Sequence, residues 1–153
     1  MKTDASLRIA AELTHLALIR RFIRETALAL RADPTALHDV VQAADEAATN
    51  IIVHGYRGQP GIVEVEVGHA GDALVLRLRD QAPPFDPTRH PAPNFLTLPP
   101  EQRPVGGLGI YLMREFMDEV AHRVTAQGGN ELTLVKRAIL ANSDKEVINE
   151  HND

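Results

Sequence analysis

The sequence contains no cysteine, no tryptophan and only six aromatic residues, and each shortage excludes a class of protein. Without cysteine the chain has no disulfides, no thiolate metal ligands and no cysteine nucleophile. Six aromatic residues are too few for the stacking platforms that bind single-stranded nucleic acids. No apolar run reaches the ~18 residues of a membrane span. Charged residues also interrupt the N-terminal segment, so we expect no signal peptide.

The charge balance is mildly acidic, with a net charge of −5 at pH 7. Residues 144–153 carry −3 of this charge, so the remaining body is near neutral and has no basic stripe that could follow a phosphate backbone. At 153 residues the chain has the size of one domain and can bury a core without cross-links. We therefore expect one cytoplasmic domain over residues 1–140 that binds neither nucleic acid nor membranes. A polar, mobile tail is expected over residues 141–153.

Proline is concentrated in one stretch, since eight of the ten prolines lie between Pro83 and Pro104. Proline has no backbone N–H and fixes φ, so regular structure is not expected there. The segments on either side are strongly patterned, and the stretch is therefore a loop inside one domain. Irregular loops of this length in a compact domain are often lids or binding loops.

Two amphipathic helices are predicted before this loop. Apolar residues recur every three or four positions from Thr14, a candidate N-cap, to about Arg31. Asp33 then reads as an N-cap, because the proline that follows it suits the first helical position. The second helix is predicted to run to about Val53, where a His-Gly-Tyr run ends it.

Alternating apolar and polar residues predict strands in the rest of the chain. The predicted strands cover residues 6–11, 63–67, 74–79, 119–126 and 131–137, and a third helix covers about Leu108 to Met117. The fold class is therefore α+β, a two-layer α/β sandwich with helices on one face of a mixed, mostly antiparallel sheet.

Polar residues on the second predicted helix form the first candidate site. Glu46, Asn50 and His54 are four residues apart and therefore lie along one helix face. The solvated face of an amphipathic helix would explain this spacing as well, but Asn50 is a poor helix former in mid-helix. A carboxylate next to an amide oxygen suits Mg²⁺, which keeps phosphate and water ligands. The carboxylate can also deprotonate a hydroxyl group.

Two further candidate segments flank the proline-rich loop. Asp80 ends a predicted strand and could accept a hydrogen bond from a ligand amine, although a turn-initiating aspartate is equally expected there. Gly106, Gly107 and Gly109 open a helix whose free amides and dipole favour phosphate, while a ligand-free hinge would also explain them. These glycines match neither the P-loop nor the dinucleotide fingerprint.

Taken in order, these segments resemble the anti-sigma-factor serine/threonine kinases of the GHKL (Bergerat-fold, histidine-kinase-like) ATPases. Residues 45–56 are similar to that family's helix motif, E-A-x-x-N-x-x-x-H-x-Y. Residues 80–86 resemble its first glycine box, and residues 106–113 resemble its G-G-x-G-x-x-L-[IM] box. Residues 129–136 resemble its closing strand, and the similarity spans about residues 6 to 138.

The resemblance implies a role for each motif. It implies that Glu46 is the general base on the accepting serine hydroxyl, that Asn50 binds the Mg²⁺ of Mg-ATP, and that Asp80 accepts the adenine amino group. It implies an ATP lid over residues 87–105. Further ATP-binding residues implied in this way are Ala82, Phe85, Gly106, Gly107, Leu108, Gly109 and, as a weaker candidate for the adenine edge, Thr133.

The resemblance also implies a function. It implies a Mg-ATP-dependent serine/threonine kinase that phosphorylates an anti-anti-sigma antagonist protein, otherwise sequesters a sigma factor, and forms a homodimer. The family usually has glycine where Ala82 stands, and the extra methyl group lies where the base is expected. This departure keeps open a regulatory module that binds ATP, or no nucleotide, and sequesters partners without kinase activity. A plain interaction domain is the third alternative.

Overall fold

The computed structural model describes residues 1–89, 99, 101 and 107–141. In this part of the chain, three α-helices pack on one face of a five-stranded sheet. The strands are β1 (Lys2–Ala10), β2 (Ile62–Ala70), β3 (Ala73–Asp80), β4 (Glu119–Val124) and β5 (Asn130–Lys136). The helices are α1 (Leu16–Ala29), α2 (Pro34–Thr49) and α3 (Gly107–Phe116). The predicted α+β class with two layers is confirmed.

The strands lie in the order β1-β2-β3-β5-β4, and every pairing between these neighbours is antiparallel. The sequence predicted a mixed sheet, and this detail is wrong. The crossover through α3 brings β4 back in the same direction as β3. The β4–β5 hairpin then inserts β5 between these two strands, so no parallel pair forms.

The core lies between the helices and the inner face of the sheet. Residues of β2 and β3 that alternate along each strand are fully buried, as the period-two pattern predicted. The helices contribute residues three or four positions apart, which is the spacing of one helix face. The fully buried residues from these elements include Ile19, Ile23, Val40, Ala44, Val63, Val65, Val67, Leu74, Leu76 and Leu78.

The start of α2 is as predicted, whereas the start of α1 is not. The side chain of Asp33 caps α2 by accepting a hydrogen bond from the backbone N–H of Ala36 at 3.0 Å. Thr14 is not an N-cap, because a short 3₁₀ turn over Leu13–His15 precedes α1. The His15 ring donates from Nδ1 to the carbonyl of Ala10 at 2.8 Å, which ties this turn to the end of β1.

After β5, backbone hydrogen bonds tie residues 139–141 to two distant turns. The N–H of Asp33 donates to the carbonyl of Ile139 at 2.8 Å, and the N–H of Ala141 donates to Arg31 at 3.2 Å. The N–H groups of residues 139 and 140 both donate to the carbonyl of Asp72, in the turn between β2 and β3. This closing segment therefore joins the α1–α2 connection to the sheet.

The outer face of the sheet carries a row of alternating charges. Arg8, Glu64, Arg79, Glu131 and Arg123 are successive cross-strand neighbours from β1 to β4. The side chain of Glu131 is 6% exposed and accepts hydrogen bonds from Nε of Arg123 at 2.8 Å and Nε of Arg79 at 2.7 Å. The bonds from Arg123, and then those from Arg79, lower the pKa of Glu131 to about 2, although burial opposes the shift.

Glu131 should make the stability of the protein depend on acid pH. Because its folded-state pKa lies below the ordinary value of 4.5, its contribution is present above about pH 4.5 and is lost as the pH falls toward 2. The contribution has an upper bound of about 3 kcal/mol. We expect Glu131→Gln to have a lower free energy of unfolding than wild type in urea at about pH 7. The difference in free energy between the two proteins should be smaller at about pH 3. The exposed Glu119, paired with Arg137, provides the control substitution Glu119→Gln. If Glu131→Gln differs from wild type by the same free energy of unfolding at both pH values, the prediction is contradicted.

None of the helices in the described ranges is long and apolar enough to cross a membrane.

Candidate functional site

A cavity of about 850 Å³ opens between α2, the first turn of α3 and the ends of β3 and β5. Its volume is typical of sites for small ligands and cofactors. The cavity is lined by several residues that the sequence predicted, namely Glu46, Asn50, His54, Asp80, Ala82, Phe85 and Gly109. The structure therefore brings together, in one cavity, residues that are up to 63 positions apart in the sequence.

At Asn50 the α-helix changes into a π-helical turn, which extends over Asn50–Gly55. The sequence predicted a continuous α-helix to Val53. The N–H of Tyr56 instead donates to the carbonyl of Ile51, five residues earlier, at 2.9 Å. Wider turns of this kind are frequent at functional sites. The N–H of Asn50 still donates to the carbonyl of Glu46, so these two residues lie one turn apart on the cavity wall.

The hydroxyl of Tyr56 anchors the end of this turn. It donates to the carbonyl of Ile62 at 2.7 Å and accepts from the N–H of Gln81 at 2.7 Å. The first bond reaches the start of β2, and the second reaches the residue directly after Asp80. Tyr56 therefore ties the end of the π-helical turn to the start of β2 and to the residue after β3, and helix periodicity does not reveal this contact.

The carboxylate of Glu46 lies against the first turn of α3. A Cβ atom at Gly109 would lie 2.6 Å from Oε2 of Glu46, so a larger residue there would displace this carboxylate. Burial, and then the negative charge of Asp45, raise the pKa of Glu46 above its ordinary value. Asp45 itself is paired with Arg20 at 2.6 Å. A carboxylate with a raised pKa is a stronger base than an exposed glutamate.

Asp80 presents a buried carboxylate at the end of β3, with 4% of the residue exposed. Its Oδ1 accepts hydrogen bonds from the N–H of Ala82 and from Nδ2 of Asn130, both at 2.9 Å. Burial raises the pKa of Asp80, against the effect of these bonds and of His122. Among the described residues, Oδ2 has no hydrogen-bond partner. It is therefore available to an N–H donor of a ligand.

Asn130, the first residue of β5, is a site residue that the sequence did not predict. Asn130 pairs with Asp80 across the sheet and lines the cavity. Its Oδ1 accepts from the N–H of Phe85 at 3.0 Å, and its Nδ2 also donates to the carbonyls of Ala82 and Pro83 at 3.2 Å. The signal in the sequence is an asparagine directly after the Gly-Gly pair that opens the closing strand.

The prediction for Thr133 is wrong. Thr133 pairs with Arg77 on one side and with Ala121 on the other, on the charged outer face of the sheet. It lies three residues beyond Asn130, and side chains alternate between the two faces of a strand. An odd offset therefore places it on the face opposite the cavity.

Ala82 occupies the position of the family's glycine without strain. Among the described residues, positive φ outside glycine occurs only at Arg31, Arg57 and Ala138. The methyl group of Ala82 packs against Gly55, where an added Cβ would lie 3.1 Å away. With 2% of the residue exposed, the methyl group takes little space in the cavity.

The glycine-rich segment is placed in part. Gly107 is the first residue of α3, and Gly109 lines the cavity. Leu108 is 48% exposed and is not a cavity-lining residue. Gly106, most of the predicted lid (residues 90–98, 100 and 102–105) and the predicted tail after residue 141 lie outside the described residues.

The oxygen donors of the cavity fit a Mg²⁺ ion that is held mainly by a phosphorylated ligand. Within the described ranges, no cluster of three or more histidine and acidic side chains could hold a metal by itself. The side-chain amide of Asn50 makes no hydrogen bond to a described residue, and Glu46 lies one turn away. Mg²⁺ typically takes one or two protein oxygens and completes its shell with phosphate and water.

Comparison with known proteins places this cavity in a family. The model of the histidine kinase-like ATPase domain matches residues 9–136. An anti-sigma F factor from a Thermoanaerobacter species is 33% identical over 122 residues, which cover 78% of this chain and 82% of the relative. A serine-protein kinase RsbW from Bacillus cereus is 29% identical over 117 residues, which cover 74% of this chain and 73% of the relative.

A solved structure supports the fold. The crystal structure of the RsbU and RsbW domains of Rv1364c from Mycobacterium tuberculosis matches 88% of this chain with a TM-score of 0.59 and 20% identity. This chain spans 32% of the length of that one. The segment matched by the domain model begins in β1, ends in β5 and contains all the predicted cavity residues. The chain belongs to the histidine-kinase-like (GHKL) ATPases, in the family of the anti-sigma-factor serine/threonine kinases.

Proposed function

We propose that the protein is a Mg-ATP-dependent serine/threonine kinase and an anti-sigma regulatory factor that acts by partner switching. It phosphorylates a serine of an anti-anti-sigma antagonist protein and otherwise sequesters a sigma factor, as a cytoplasmic homodimer that does not itself bind nucleic acid. The observation that carries the proposal is the meeting of Glu46, Asn50 and Asp80 in one cavity. The relatives named anti-sigma F factor and serine-protein kinase RsbW support it.

In this proposal ATP lies along the cavity from Asp80 to the start of α3. Oδ2 of Asp80 accepts a hydrogen bond from the amino group of adenine. The backbone amides of Gly107, Leu108 and Gly109 bind the phosphates, because these residues form the first turn of α3 and the first N–H groups of a helix have no partner within the helix. Asn50 holds the Mg²⁺, which supplies neutralisation of the phosphate charge when it is bound.

Glu46 is the general base of the proposed transfer. Its carboxylate takes the proton of the serine hydroxyl, the serine oxygen forms a bond to the γ-phosphorus, and the bond to the β–γ bridging oxygen breaks to release ADP. The raised pKa of Glu46 favours proton uptake. Its contact with Gly109 places the base beside the helix start that would bind the phosphates.

A module that binds ATP, or no nucleotide, and sequesters partners without transfer is the second candidate. Ala82 at the position of the family's glycine raises this alternative, although its methyl group packs against Gly55 and takes little space in the cavity. Two measurements separate the candidates: calorimetric titration of ATP with and without Mg²⁺, and incubation with γ-labelled ATP and each anti-anti-sigma homologue of the source genome. Label on a serine of one homologue supports the kinase. Binding without transfer to any homologue supports the second candidate, and no binding at millimolar ATP contradicts the kinase.

Replacing Asn50 should remove the effect of Mg²⁺ on ATP binding. We expect Asn50→Ala to weaken binding of ATP about tenfold in Mg²⁺, or about 1.4 kcal/mol, because the amide oxygen that would hold the ion is lost. Binding without Mg²⁺ should change little. The matched control is Asn50→Asp, which keeps an oxygen donor and should keep the Mg²⁺ response. A response to Mg²⁺ in Asn50→Ala equal to that of wild type would remove Asn50 from the metal site.

A further inference from the structure

His122 of β4 is a polar residue that lines the cavity beside Asn130. The side chain of His122 is 6% exposed, and its Nε2 lies 2.7 Å from Oδ1 of Asn130. Its cross-strand neighbour is Leu132, on the inner face of the sheet. A polar ring at such an apolar position costs free energy unless it is hydrogen-bonded. Its contact with Asn130 therefore requires an explanation beyond packing.

The hydrogen bonds of Asn130 fix which way its amide group points. Nδ2 faces three acceptors, namely Oδ1 of Asp80 and the carbonyls of Ala82 and Pro83. Oδ1 therefore needs donors, and it receives the N–H of Phe85 together with Nε2 of His122. The reversed amide would place its oxygen against the carboxylate of Asp80 and its NH₂ group against two donors.

The same contacts show which nitrogen of the His122 ring donates a hydrogen bond. Because the amide oxygen of Asn130 only accepts, Nε2 of His122 carries a proton. Nδ1 lies 3.8 Å from Oδ1 of Asp86, a carboxylate oxygen that already accepts from the N–H and hydroxyl of Thr88 at 2.8 and 2.6 Å. Asp86 is thus held in place on the far side of the ring. Hydrogen bonds therefore connect His122 to Asn130 and Asn130 to Asp80, and the carboxylate of Asp86 lies near the other side of the His122 ring.

We propose that His122 is a positioning residue that sets the base selectivity of the cavity. By donating to Asn130 it holds the amide with Nδ2 on Oδ1 of Asp80, and this leaves Oδ2 of Asp80 directed at an exocyclic amine of a purine. Loss of this donor removes one of the two hydrogen bonds that Oδ1 of Asn130 accepts. The amide, and with it the carboxylate of Asp80, is then held less firmly, so a purine with a carbonyl in place of that amine is rejected less strongly. The inference rests on the proposed binding of ATP.

The test compares ATP with ITP, whose base carries a carbonyl group in place of the amine. Calorimetry gives the ratio of the two dissociation constants in Mg²⁺ for wild type, His122→Leu, His122→Asn and His122→Gln. The glutamine amide is long enough to donate to Asn130, whereas asparagine is one methylene shorter. We expect the preference for ATP to fall about tenfold in the leucine and asparagine variants and to be kept in the glutamine variant. The asparagine variant carries the test if the leucine variant does not fold.

A second readout does not depend on nucleotide binding. In the ligand-free protein, the side-chain amide protons of Asn130 should exchange with solvent faster in His122→Leu than in wild type or in His122→Gln, as measured by NMR. A wild type that binds neither nucleotide refutes the proposed function, and the exchange rates then still test the role of His122. Unchanged selectivity with unchanged exchange overturns the inference. An equal loss in the glutamine and leucine variants overturns it too, because the donor would then not be what matters.

Discussion

Replacing Glu46 by glutamine should strongly slow phosphoryl transfer while ATP binding remains. Glutamine has the shape of glutamate but cannot accept the serine proton, so the rate should fall about 10²- to 10⁴-fold, the range for loss of a general base. ATP binding should remain because Asn50, which is proposed to hold the Mg²⁺, and Asp80, which is proposed to bind adenine, are unchanged. Single-turnover labelling of the antagonist measures transfer, and calorimetry measures binding.

The neighbouring carboxylate provides the control for this experiment. Asp45→Asn removes a charge beside Glu46 but leaves the proposed base in place, so transfer should persist. Because Asp45 contributes to the raised pKa of Glu46, the acid limb of the rate profile should move to lower pH in this variant. Transfer by Glu46→Gln at the wild-type rate would exclude Glu46 as the base, and an unmoved acid limb in Asp45→Asn would exclude the coupling.

Asp80→Asn should weaken ATP binding about 10- to 100-fold, the cost of a lost hydrogen bond to a charged group. The asparagine oxygen can keep the bonds that Oδ1 accepts from Ala82 and Asn130. Its NH₂ group then replaces Oδ2 and faces the adenine amine, donor against donor. Calorimetric titration of ATP measures the loss, and the melting temperature of the variant reports whether the fold is intact.

ITP is the internal control for Asp80→Asn. The NH₂ group that opposes an amine can donate to the carbonyl of inosine, so the variant should lose less affinity for ITP than for ATP. A general loss for both nucleotides in a folded variant would indicate damage to the cavity instead of a change in base recognition. Unchanged ATP affinity would remove Asp80 from the site.

Much of the fold and half of the site follow from local patterns. The cap at Asp33, the amphipathic pattern of α2 and the alternation along the strands each depend on residues close together in sequence, and these predictions are confirmed. Glu46 and Asn50 share one turn of helix, so their spacing alone indicates that they lie together. Asp80 stands at the end of a strand that period two defines.

The rest of the site depends on the register between distant strands. Asn130 meets Asp80 only because β5 pairs with β3 in one register, and a shift of one residue would turn Asn130 to the other face. Gly129 sits so close to this junction that a Cβ there would collide with the backbone carbonyl oxygen of Asp80. No short-range pattern encodes such a register. The sequence therefore does not show that Asn130, and not Thr133, is the residue of β5 that reaches the cavity.

The closing segment at residues 139–141 also has a consequence for synthesis on the ribosome. The connection at Arg31 and Asp33 and the turn at Asp72 leave the exit tunnel long before the residues that tie them together. Chains grow at about 5–20 residues per second. Several seconds therefore pass between the synthesis of β3 and the synthesis of β5 and the closing segment. Asn130 is added in the same late interval. A nascent chain would therefore gain its nucleotide cavity and its closing hydrogen bonds almost together, at the end of translation of the fold.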